Sequence, residues 1–209
     1  MSGSAKIMAA VLICIAGVSF NLLSFDSFLF FGLPMVAGVA VAVVNTRNNP
    51  DWRTIDQATD VMRIYFGGHL LWSCIRFWFT EMQPSGAPQH PIAGPFLESL
   101  FATGIFPAVK VVEGIVGVLL LSNRFVPLAL VLEVPTSVTI FYLNTFVTAR
   151  LSGLLTGPTE LGVNVLLMLA YFHHYRPMLR GKVRAAPPWE RQDHLDDNFR
   201  YGYTKSNNI

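Results

Sequence analysis

The stretch Phe106-Pro107-Ala108-Val109-Lys110-Val111-Val112-Glu113-Gly114-Ile115-Val116-Gly117-Val118-Leu119-Leu120-Leu121 is apolar except for one lysine and one glutamate, three residues apart. Extended back to Glu98, it is long enough to cross a hydrocarbon core about 30 Å thick, which takes about 20 mostly apolar residues. Residues three apart share a helix face, so Lys110 and Glu113 are expected side by side. A charge at the centre of a membrane helix costs at least about 2.5 to 3.5 kcal/mol on insertion scales, so such residues need a partner or a wet cavity.

The rest of the chain has the composition this stretch implies. Of 209 residues, 52% are hydrophobic and 13% charged, and the mean hydropathy is +0.45. Soluble domains carry about 25% charged residues. The balance excludes an intrinsically disordered chain and a disulfide-stapled secreted scaffold. It also excludes a nucleic-acid reader built on basic patches, and no nucleic-acid partner is expected at a net charge of +2. The class is an all-α membrane protein with about six transmembrane helices.

The spans are expected at Ile7 to Leu23, Phe28 to Asn45, about Asp60 to Thr80, Glu98 to Leu121, Phe125 to Val147 and about Thr156 to Tyr175. Ile7 to Leu23 shows no small-x-small cleavage site before Asn21 and is read as a retained span. Prolines 84, 88, 91 and 95 mark a loop between the third and fourth spans. Thr159 is expected to cap the last helix, with Glu160 at its positive N-terminal end. The domains that follow are a hairpin at 1–46, a loop at 47–59, a four-helix bundle at 60–179 and a tail at 180–209. Lys6, Arg47, Arg53, Arg124 and the basic tail fall on one side of the membrane, Arg150 on the other. Basic loops stay inside, so both termini are expected to be cytoplasmic. The membrane is read as a prokaryotic inner membrane.

The ionisable residues inside spans are the candidate site: Arg63, His69, Lys110, Glu113 and Glu133. At about 1.5 Å of rise per residue they fall in one slab of the membrane. Pro135, just past Glu133, is expected to free a backbone carbonyl near them. Two readings stay open: a buried ion-pair network that fixes helix packing, or the lining of a pocket for a polar head group such as a quinone ring, with proton relay as a variant. His173 and His174 point about 100° apart on a helix and do not match His69 in depth, so no haem or zinc site is expected. Lipid or pigment contact and any further cofactor stay unassigned. Gly67, Gly68, Gly114 and Gly117 are placed to let helices approach closely.

The run Val61-Met62-Arg63-Ile64-Tyr65-Phe66-Gly67-Gly68, the Phe106 to Leu121 stretch followed by Arg124, and Gly157-Pro158-Thr159-Glu160 together resemble the DoxX/DoxD-like integral membrane family over about residues 60–179. The resemblance implies a four-helix membrane bundle associated with redox systems, some members being subunits of thiosulfate:quinone oxidoreductases. By matching position it implies Arg63 and Glu113 as paired polar residues. The N-terminal hairpin, the long proline loop and the extended tail depart from the family pattern. Those additions suit an accessory, non-catalytic subunit of a larger redox or electron-transfer complex, in contact with lipids and other membrane subunits. The alternative is a quinone-linked oxidoreductase subunit. In the tail, Trp189, Phe199, Tyr201 and Tyr203 are candidate partner-docking residues, interspersed with basic residues that anionic head groups attract.

Overall fold

The computed structural model describes residues 28–49, 51–79 and 90–179. The expected span Ile7 to Leu23 and the docking residues Trp189, Phe199, Tyr201 and Tyr203 lie outside the described residues.

Every described element is helical, and there is no strand among the described residues. A π-helical turn, Phe28–Gly32, leads into α1, Leu33–Asn48, where Pro34 sits in the first turn and needs no N–H donor. Helix α2, Thr54–Phe79, starts where the Asp56 carboxylate accepts from both the backbone N–H and the guanidinium of Arg53. That contact holds the Asp56 carboxyl below its ordinary value of 3.8. The cap is complete above that value and is lost as the pH falls through the depressed one.

The expected straight span from Glu98 to Leu121 is instead two helices. Helix α3, Ala93–Ala102, has its first N–H groups capped by His90 Nδ1, which accepts from Ile92 and Ala93. It ends at Gly104, whose φ of +76° suits glycine at a left-handed helix stop. The chain then bends by 82° into α4, Ile105–Leu121. Helix α5, Val126–Tyr142, continues as a π-helical stretch, Leu143–Thr148. Helix α6, Leu151–Ala170, begins earlier than the sequence suggests, and Pro158 lies inside it. Thr159 is therefore not a cap; its hydroxyl donates to the Leu155 carbonyl one turn back. A short helix α7, Phe172–Tyr175, closes this part of the chain, and the Tyr175 hydroxyl donates to the Pro127 carbonyl at 2.8 Å.

Among the described residues, three stretches are long and apolar enough to cross a membrane: Phe28–Asn48, Val126–Thr148 and Gly153–Ala170. The bent pair α3 and α4 makes a fourth if it counts as one span. The chain is thus a multi-pass membrane protein. Helix α2, at 26 residues, is long enough but too polar to stand in lipid alone. Its neighbours α1, α4 and α6 shield it, and this is why it tolerates Asp60, Arg63 and His69.

The core is built on Tyr65, Phe66 and Leu70 of α2, Val116 and Leu120 of α4, Val126, Ala129 and Leu130 of α5, and Leu167 of α6. Among the described residues, α1 packs along α2 within a compact unit that ends at Tyr175. The second unit starts at Arg176, and its described part is a single 3-10 turn, Arg176–Leu179.

Helices α2 and α4 touch backbone to backbone at two glycines. A Cβ on Gly117 would sit 2.8 Å from both the Gly67 carbonyl oxygen and the Leu71 amide nitrogen. Backbone cannot swing aside as a side chain can, so Gly117→Val should push the two helices apart. An overpacking cost of about 1 to 3 kcal/mol is expected. It is read as a lower midpoint of unfolding in detergent.

Candidate functional site

Arg63, His69, Lys110, Glu113 and Glu133 are all buried. By their direct hydrogen bonds and ion pairs they fall into four groups. The reason is the antiparallel run of α2 and α4. Arg63 meets the C-terminal end of α4, whereas Lys110 and Glu113 lie about two to three turns further along it.

In the first group, Arg63 Nη2 donates to Asp60 Oδ1 at 3.0 Å and Nη1 donates to the Leu120 carbonyl at 2.6 Å. Asp60 Oδ2 accepts from Asn45 Nδ2 at 2.7 Å, which ties in α1. The carbonyls of the last helical turn lack intrahelical donors and carry the negative end of the helix dipole, so a guanidinium there is well placed. One arginine thus joins α1, α2 and α4.

In the second group, Lys110 Nζ donates to Glu113 Oε1 at 2.8 Å, to Oε2 at 2.7 Å and to Ser73 Oγ at 2.8 Å. An ammonium has three N–H donors, and all three are used. The pairing of Lys110 with Glu113 follows from their spacing. The pairing of Arg63 with Glu113, which the family resemblance implied, does not occur. Glu113 is taken by Lys110, and the carboxylate partner of Arg63 is Asp60.

In the third group, His69 Nδ1 is 3.3 Å from the Phe30 carbonyl and Nε2 is 3.8 Å from Glu160 Oε2. Its ring is stacked on Phe31 at 5.1 Å and meets the Phe30 ring edge-on at 4.4 Å. A carbonyl only accepts, so Nδ1 carries a hydrogen when it makes this bond. Nε2 then faces a carboxylate oxygen. The two are complementary only when a proton resides on one of them.

Glu133, on α5, is the fourth. It is 0% exposed, and neither carboxylate oxygen has a hydrogen-bond partner. One turn on, Ser137 accepts from Asn164 Nδ2 of α6 at 3.1 Å, while Asn164 Oδ1 is also buried without a partner. Glu113, Glu160 and Lys110 act on Glu133 electrostatically. Pro135 is two residues on, on the exposed side of α5, and so is Val131, whose carbonyl loses its donor.

Asp60, Ser73, Glu160, Ser137, Asn164 and Asn45 escape a sequence reading that looks only for charges well inside spans. Asp60 had a signal, since it lies three residues before Arg63. Glu160 had none, because Pro158 suggested a helix start rather than a helix interior. His173 and His174 have ring centroids 3.8 Å apart but are both exposed. Among the described residues, no three His, Cys, Asp or Glu side chains converge as a metal site would require.

Comparison with protein-family models, with curated proteins and with solved structures finds no match to this chain.

Proposed function

We propose that this chain is a six-span inner-membrane protein, with both termini cytoplasmic, that serves as a non-catalytic subunit of a larger redox or electron-transfer complex. The observation behind this reading is that both charged pairs are closed on themselves. Lys110 spends every N–H on Glu113 and Ser73, and Arg63 joins Asp60 to the end of α4. Charges used in this way hold helices in register and present nothing to a substrate. Meanwhile α4 turns Ile105, Val111, Ile115 and Val118 outward, about half exposed, as an apolar flank for lipid or a neighbouring subunit.

Isolation from native membranes in mild detergent should bring other membrane subunits with the chain. A well-behaved monomer with no co-purifying protein would sink this reading. A second reading, a quinone-linked oxidoreductase subunit, draws on the buried and unpartnered oxygens of Glu133 and Asn164. Quinone in the mass inventory of the same preparation, lost in Glu133→Met, would select it.

A further inference from the structure

We propose that Glu133 is a proton-binding site inside the membrane domain, which takes up a single proton as a neutral carboxylic acid. This goes beyond the subunit role and does not depend on any partner chain.

An ionised carboxylate removed from water and left without a hydrogen-bond donor or counter-ion carries a penalty of several kcal/mol, and buried groups of this kind neutralise instead. Glu133 is 0% exposed and has no donor on either oxygen.

The groups that face it from the surrounding helices do not supply the missing charge. From α4, Glu113 adds a negative charge, and Lys110 has no N–H to spare. From α6, Glu160 adds a second negative charge. On α2, His69 engages Glu160, and the Arg76 guanidinium lies over the Phe30 ring at 5.9 Å. Glu160 also acts electrostatically on Tyr65, which stacks against His69. Arg63 is held by Asp60 and the end of α4.

The net requirement is a labile proton. Uptake forms an O–H bond on Glu133 with a proton from solvent, and release to solvent breaks it. No electrons move and no co-reactant is needed. The other unpartnered oxygen nearby, Asn164 Oδ1, is an acceptor for the Glu133 O–H or for a hydrogen-bonded bridge to it.

The test is infrared difference spectroscopy of the full chain in detergent or lipid, across a pH titration. A neutral carboxylic acid has a carbonyl stretch distinct from the bands of a carboxylate. The expected result is such a band near neutral pH, shifted in D2O, lost reversibly in alkali, absent in Glu133→Met and displaced in Glu160→Gln. Glu133→Met should also unfold at a midpoint equal to or above that of the parent chain. Removing an unpartnered buried polar group is neutral or stabilising, whereas removing one member of an ion pair is not. If Glu133→Met does not fold, loss of the band in Glu133→Gln serves in its place. The proposal is overturned by the absence of the band in the parent chain, by its survival in the Glu133 variant, or by a band that does not change over the whole pH range.

Discussion

Asp60→Asn should be among the most damaging single substitutions in this protein, with an expected loss of about 3 to 5 kcal/mol, the usual cost of breaking a buried ion pair. The substitution keeps the size of the side chain and its contact with Asn45, and removes only the charge. Arg63, 5% exposed, is then left with the Leu120 carbonyl as its one remaining partner. A guanidinium stays protonated at any accessible pH, so it has no way to neutralise itself. The positive charge must either remain buried or pull α2 away from α4. Thermal unfolding in detergent measures the loss directly. Arg63→Met should cost less, because it replaces the buried cation with an apolar side chain and leaves Asp60 its Asn45 donor. Equal costs for the two variants, or a negligible cost for Asp60→Asn, would show that the pair does not carry this energy.

Glu113→Gln should be next in severity, in the same range of about 3 to 5 kcal/mol. Lys110 loses a bidentate carboxylate and keeps only Ser73 and one amide oxygen. Its ammonium also faces the Phe106 ring at 5.2 Å, a contact that gives partial compensation at best. The double variant Lys110→Met, Glu113→Leu should recover most of the stability, since replacing a whole buried pair with apolar side chains of similar size is often neutral or stabilising. A double variant as unstable as Glu113→Gln would mean that the pair contributes more than charge cancellation, and would favour a role in binding.

These two expectations differ in how far the sequence alone reaches. The Lys110–Glu113 pair is legible because both members lie three apart on one helix inside an apolar run. Asp60 obeys the same rule with Arg63, but sits near the expected end of its span, where a carboxylate needs no explanation. The bond from Arg63 to Leu120 joins residues 57 apart in sequence and involves a backbone carbonyl, which no residue pattern announces. Glu160 is hidden by Pro158, which reads as a helix start and is in fact tolerated within α6. The break at Gly104 is hidden for the opposite reason. The run from Glu98 to Leu121 is apolar throughout, and hydropathy does not register an 82° bend.

The sequence by itself determined the class of this protein and the identity of most of its buried charges. Both follow from transfer energetics: an apolar run of sufficient length belongs in a bilayer, and a charge within it must be shielded. Only the tertiary structure decided which charge answers which. Pairing depends on the angle and register at which helices meet, and these are set by contacts such as Gly67 against Gly117, where two backbones touch. That register closes the Asp60–Arg63 and Lys110–Glu113 pairs and leaves Glu133 without a partner. The stretch from Phe106 to Leu121 thus marks the protein as a membrane bundle. The unanswered carboxyl on the neighbouring helix marks the place where its chemistry is to be tested.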